Sequence, residues 1–199
     1  MTLEDTTGVD DIYGSPVQGL SRIKAVITAS GAQGSTITTY KVACDGNTYT
    51  GATITTNLLQ NSGDVPITAT VTDSRGRQGS TSYTMKVQAY SAPVITAFKV
   101  VRCDADGTEN DRGDYVKVTF SAAISSLSSK NTAAYKLRHK RTSASTFTEV
   151  NITELAGKYS VSNWSYVFAA DGSDSYDIEI EAADRHHTTV RATAVSTAF

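Results

Sequence analysis

The stretch from Val65 to Val87 constrains the fold more than any other, because it is an alternating hairpin and it recurs. On the way in, Val65, Ile67, Ala69 and Val71 alternate with other residues, and on the way out Tyr83, Met85 and Val87 do the same. A period of two marks strands that bury one face. Between them, Asp73-Ser74-Arg75-Gly76 supplies turn residues, and Gly76 takes positive φ without steric cost. The pattern returns 111 residues later (176 minus 65), where Tyr176, Ile178, Ile180, Ala182 and Asp184 fall on Val65, Ile67, Ala69, Val71 and Asp73. A second outgoing strand follows near Val190 to Val195. One hairpin repeated at domain length predicts two copies of one fold.

The rest of the chain fits that frame. Ile12 to Gly19 reads as an irregular edge strand broken at Gly14 and Pro16. Arg22 to Ala29, Thr36 to Cys44 and Thr50 to Thr56 read as further strands, with a tight turn at Asp45-Gly46-Asn47. In the second half, strands are expected at Val94–Arg102, Tyr115–Ala122, Ala133–Arg141, Phe147–Ile152 and Trp164–Ala169. Short strands at roughly ten-residue spacing, with no helical period, predict an all-β chain. The expected architecture is two tandem immunoglobulin-like or fibronectin type III-like antiparallel β-sandwiches. Their expected limits are residues 12–90 and 94–199, with the junction at Ala89 to Pro93. So short a connector implies a semi-rigid junction. Residues 1–11 carry four acids and no base, and read as a linker cut from a longer chain or as an added end.

Composition excludes several function classes. A formal net charge of −2 over 199 residues argues against general affinity for nucleic acid or anionic membrane. No stretch approaches the roughly 20 apolar residues of a membrane span, and the acidic start is no signal peptide. Apolar residues make up 39%, which suits thin sandwiches whose strands each turn one face to water. Cys44 and Cys103 fall one in each expected domain, so the two-cysteine pin of an antibody domain is absent and free thiols are expected.

No catalytic residue or cofactor emerges. No serine sits in a Gly-x-Ser-x-Gly elbow, and no glycine-rich phosphate loop is present. Asp104, Asp106, Glu109, Asp111 and Asp114 crowd one loop, which makes Asp104, Asp106 and Asp111 weak calcium candidates beside the plainer reading of a solvated turn. Arg112-Gly113-Asp114 matches an adhesion tripeptide, and His186 and His187 sit at the second hairpin tip without further metal ligands in view. Asn151 and Asn163 match the glycosylation pattern but fall in or beside strand-like segments.

Lys136, Arg138, His139, Lys140 and Arg141 form a basic run that a nucleic-acid reading would seize on. The repeat offers a better account. Asp177, Glu179 and Glu181 point outward from the second hairpin, and its sandwich neighbour is the basic strand. An antiparallel register with residue numbers summing to 317 pairs Lys140 with Asp177, Arg138 with Glu179 and Lys136 with Glu181. Arg191 is expected to face Glu181 from the other side.

Several segments together resemble a known family. These are Gln18-Gly19-Leu20-Ser21-Arg22-Ile23-Lys24, Ile37-Thr38-Thr39-Tyr40, Tyr49-Thr50-Gly51 and Thr72-Asp73-Ser74-Arg75-Gly76-Arg77. In the second half they are Arg102-Cys103-Asp104-Ala105-Asp106-Gly107-Thr108, Lys117-Val118-Thr119-Phe120 and Ser196-Thr197-Ala198-Phe199. The ordered set is similar to siphovirus minor structural proteins of unassigned biochemical role. The resemblance implies a tail- or baseplate-associated virion protein of a phage or prophage of Gram-positive bacteria, made in the host cytoplasm, with other virion or tail proteins as partners. Chains of that family look longer, so the resemblance also implies an excised segment. It supplies no catalytic residues. The function expected is a non-enzymatic, semi-rigid spacer that presents other domains toward the host. The alternative is recognition of bacterial cell-wall polysaccharide through domain-end loops. Trp164, the one tryptophan, reads as core rather than as a sugar platform.

Overall fold

The computed structural model describes residues 1–198; Phe199, the last residue of the final matching segment, lies outside the described residues. The chain divides into two compact units, one from Met1 to Tyr90 and a second from Ser91 onward. The first contains β1 (Thr2–Asp5), a short helix α1 (Val9–Tyr13), β2 (Ile23–Val26), β3 (Ile37–Cys44), β4 (Asn47–Thr50), β5 (Thr53–Thr55), β6 (Gly63–Asp73) and β7 (Gln78–Val87). The second contains β8 (Val94–Cys103), β9 (Tyr115–Ala123), β10 (Ala134–Arg141), β11 (Thr148–Val150), β12 (Ser160–Ala169), β13 (Tyr176–Ala183) and β14 (Thr188–Val195).

Each unit is a sandwich of a three-stranded and a four-stranded antiparallel sheet. The orders are β1-β2-β5 against β4-β3-β6-β7, and β8-β9-β12 against β11-β10-β13-β14. Strand for strand the two units have one topology, that of a fibronectin type III-like or immunoglobulin-like domain. The repeated hairpin occupies the same place in both, as β6–β7 and β13–β14. Val65, Ile67 and Ala69 are buried in the first copy, and Tyr176, Ile178, Ile180 and Ala182 in the second. They pack into separate cores, around Val42, Leu59 and Ile23 in one unit and around Phe120, Leu137 and Val118 in the other.

The N-terminal segment corrects the expectation of a linker over 1–11. Thr2–Asp5 pairs with β2, Leu3 facing Ala25 in register, so the segment is part of the first sandwich. Asp5 Oδ1 accepts hydrogen bonds from Thr7 N and Oγ1, turning the chain into α1, whose Val9 and Tyr13 are buried one turn apart. A four-residue strand carries too little alternation to be read from sequence. The irregular strand expected over Ile12–Gly19 is likewise mostly the end of α1 and a turn, with Val17 forming one parallel bridge to Gln88. Tyr83 also departs from expectation. It points inward in phase with Met85, yet stays 59% exposed. The surface it shares is with Met1 and Leu3, because short β1 covers little of that edge.

Candidate functional site

The basic strand was the strongest candidate for chemistry, and its geometry decides its role. β10 pairs with β13 in unbroken antiparallel register: Lys136 opposite Glu181, Arg138 opposite Glu179 and Lys140 opposite Asp177. These are the pairs whose residue numbers sum to 317. Arg138 Nε lies 2.7 Å from Glu179 Oε2, and Lys140 Nζ lies 3.2 Å from Asp177 Oδ2. Lys136 turns the other way, to Glu149 Oε2 on β11 at 3.4 Å. Acids flank it on both sides, and the two half-exposed side chains are free to choose. The guanidinium of Arg138 and the ammonium of Lys140 also sit over the Phe147 ring, 5.3 and 5.4 Å from its centroid. Arg191 does not join: its register partner is Ile180, and Val190 stands beside Glu181. Arg141 instead reaches Asp174 at 3.1 Å. The basic face is thus internally neutralised, which removes the reason to assign it to phosphate.

In the acidic loop after β8, as elsewhere among the described residues, no group of three His, Cys, Asp or Glu side chains converges on one point. Its members are spent separately. Asp104 accepts from Asn110 Nδ2 at 2.8 Å, and Asp106 accepts from Thr108 N at 2.8 Å. Thr108's donors hold the Asp106 carboxyl below its usual range. Glu109 pairs with Lys99 at 2.5 Å, and Asp114 accepts from Gly172 N at 3.1 Å. Asp111 stands exposed on the rim. In this geometry Asp104 and Asp106 hold the turn itself. In the adhesion tripeptide Arg112 and Asp114 are exposed while Gly113 is buried, and a Cβ there would lie 1.9 Å from Cys103 O, so the glycine is required by the packing of the turn.

Two devices were not anticipated. The hairpin aspartates cross-link each sandwich end. Asp73 Oδ1 accepts from Arg75 N and Arg77 N, while Oδ2 takes Arg77 Nε and Ser35 Oγ. Burial pushes the Asp73 carboxyl up, but the donors, led by Arg77 N and Ser35, outweigh it and hold it down at about 2. Asp184 repeats the arrangement, accepting from His186 N and His187 N through Oδ1 and from Asn131 Nδ2 through Oδ2. Ser35 and Asn131 each precede the strand next to the hairpin, β3 and β10, so the same turn is tied to the same loop in both units. This accounts for the hairpin-tip histidines: their backbone is part of the lock.

The second device is Arg102, 5% exposed at the end of β8. Its Nε and Nη2 donate to Ser196 O, its Nη1 to Ala170 O at 3.0 Å and Asp171 O, and its Nη2 also to Asp174 O. The guanidinium carbon lies 5.6 Å from the Tyr176 ring centroid. One buried cation thus ties three chain segments together through their carbonyls, the use for which the guanidinium fork is suited. Phe98, Val100 and Arg102 share one alternation phase, and that was the available signal. Trp164 sits at the sheet margin, half-buried against Phe120 with its Nε1 on Glu154 Oε1 at 3.1 Å. Both cysteines are buried and free.

No curated protein matches the chain. Among solved structures, it is similar to the FN1–FN3 domains of chicken CNTN1 (11% identity over 92% of this chain, TM-score 0.36), of which it spans 65%. It is also similar to a two-domain fibronectin type III segment of chicken tenascin (12% identity, 98% of each chain, TM-score 0.34). A third is a structure described as carbohydrate-binding modules from the β-sandwich superfamily (15% identity, 98% of this chain and 95% of that one, TM-score 0.35). The model of the family described as "Siphovirus protein of unknown function (DUF859)" matches residues 1–195, so the chain belongs to that siphovirus family.

Proposed function

We propose that this chain is a non-enzymatic structural segment of a siphovirus tail or baseplate, a semi-rigid spacer that holds other domains of the virion toward the bacterial host. One observation carries the reading: the connector is anchored at both ends, each within its own unit. On the first side, Gln88 N donates to Pro16 O, Gln88 O accepts from Gln18 N, and its amide donates to Tyr13 O and Ser15 Oγ. On the second, Ser91 N donates to Ser125 Oγ, Ser125 Oγ donates back to Ser91 O, and Pro93 O accepts from Thr189 Oγ1 at 2.6 Å. Only Ala89 and Tyr90 stand between the two anchors. Two residues reach at most about 7 Å, far short of a free tether. Membership of the siphovirus family supports a place among other virion proteins, and no helix among the described residues is long and apolar enough to cross a membrane.

The reading is tested with labelled protein and purified Gram-positive cell walls. A spacer shows no saturable binding at high concentration. Saturable binding that disappears when residues of the exposed end loops, such as Asp106 and Asp111, are changed to alanine overturns it in favour of polysaccharide recognition.

A further inference from the structure

The two sandwiches share a topology but close differently between their first and last strands. In the second unit, ten-residue β8 runs beside β14. In the first, β1 has four residues, and a cleft of about 320 Å³ opens between β1, α1 and β7. Its lining mixes the acids Glu4, Asp5 and Asp10 with the apolar side chains of Leu3, Tyr83 and Met85 and with Lys86. β7 ends its sheet. Only β6 pairs with it among the described strands, and past the single Val17–Gln88 bridge its outer edge is open. That edge runs ten residues in regular register, without the bulge or proline that commonly blunts one.

The cleft is electronegative. Asp5 is 9% exposed, and although Oδ1 is satisfied by Thr7, its Oδ2 is buried without a hydrogen-bond partner. A carboxylate so placed is poorly screened by water and projects its charge into the cleft it lines. Asp10 responds: burial first, then the charges of Asp5 and Asp11, push its carboxyl up. The one cation that lines it, Lys86, is engaged with Asp64, and Lys24 outside it is engaged with Glu4 at 3.5 Å, which leaves Asp5 and Asp10 as the uncompensated charges. A metal ion is the poorer fit, since no three acidic, histidine or cysteine side chains converge among the described residues and half of the lining is apolar. An aliphatic stem with a cationic head matches a lining that is both acidic and apolar.

We propose that this cleft receives a lysine or arginine side chain carried on an extended segment of a partner protein, which adds as a strand to the free edge of β7. Main-chain pairing along Gln78–Lys86 supplies generic affinity, and the acidic cleft selects the basic side chain. The inference goes beyond the spacer reading, which stands with or without it.

The test uses the whole chain, immobilised, and a pool of seven-residue peptides with random flanks and a fixed centre. The centre is Lys or Arg in one arm and norleucine or Glu in the other. Basic centres are expected to enrich about tenfold over norleucine, the order of one charged hydrogen bond. Asp10→Asn, a change at a partly exposed position, abolishes the preference. So does Tyr83→Lys, which places a like charge across the cleft from an exposed site; circular dichroism checks both folds. Equal enrichment of the two arms overturns the proposal, as does a basic preference that survives both substitutions. A parallel titration with calcium chloride separates the remaining alternative: a rise in Tm that Asp10→Asn abolishes, without peptide enrichment, assigns the cleft to a metal and overturns the proposal.

Discussion

At the scale of single residues, the molecule concentrates its polar side chains on holding itself together. Arg102 is the clearest case. Truncating it to alanine leaves the buried carbonyl of Ala170 without its donor, at about 1–3 kcal/mol, and frees the partly buried carbonyl of Ser196 as well. Chemical denaturation of Arg102→Ala is expected to show a loss of about 3 kcal/mol or more in that unit alone. The thiols are inert by the same burial. Burial, helped by Asp45, pushes Cys44 up to about 11, and burial pushes Cys103 up too. Ellman's reagent at pH 8 is therefore expected to label neither in the native protein and both after unfolding. Asp73 and His139 each contribute to the pH response. Asp73 is depressed to about 2, so its contribution is complete above the ordinary carboxylate value near 4 and is lost as pH falls toward 2. His139 stacks on Phe168 at 3.8 Å between the sheets, and burial lowers its pKa. Its neutral form is the one the fold favours, so the second unit is expected to weaken as pH falls below about 6.5. Denaturation midpoints between pH 7.5 and 5 check this, and His139→Phe is expected to flatten the slope.

Elements explain which of these features sequence could show. The charge ladder was legible because strand phase is local: alternate acids on one hairpin demanded a basic neighbour, and β10 was the basic strand. Arg138 and Glu179, at 37% and 24% side-chain exposure, are expected to couple by about 0.5–1 kcal/mol in a double-mutant cycle. Glu179→Lys is expected to cost more than Glu179→Gln, since it sets two like charges face to face. The partner of Lys136 was not legible, because Glu149 comes from β11, three residues long and without a clear phase. The aspartate locks were half legible. Asp184 aligned with Asp73 in sequence, but Ser35 and Asn131 lie 38 and 53 residues from their aspartates, and no local pattern links them. The cleft in the first unit was invisible for the same reason. Leu3 meets Ala25 and Tyr83 meets Leu3 only after the chain has crossed both sheets.

For the whole molecule, the repeat has one topology and two finishes. In the second sandwich a ten-residue first strand runs beside β14 and its Arg102 ties the neighbouring loops, whereas in the first β7 borders an acidic cleft. The spacer reading depends on the piece between them. Gln88 belongs to one unit and Ser91 to the other, and the proposed spacer requires the two intervening residues to keep the junction stiff. Small-angle X-ray scattering compares the native chain with a variant carrying ten Gly-Ser residues inserted between Ala89 and Tyr90. A stiff junction predicts native scattering that one arrangement of the two units fits, while the insertion variant needs a broad ensemble. A native profile that needs the same broad ensemble as the insertion variant contradicts the spacer.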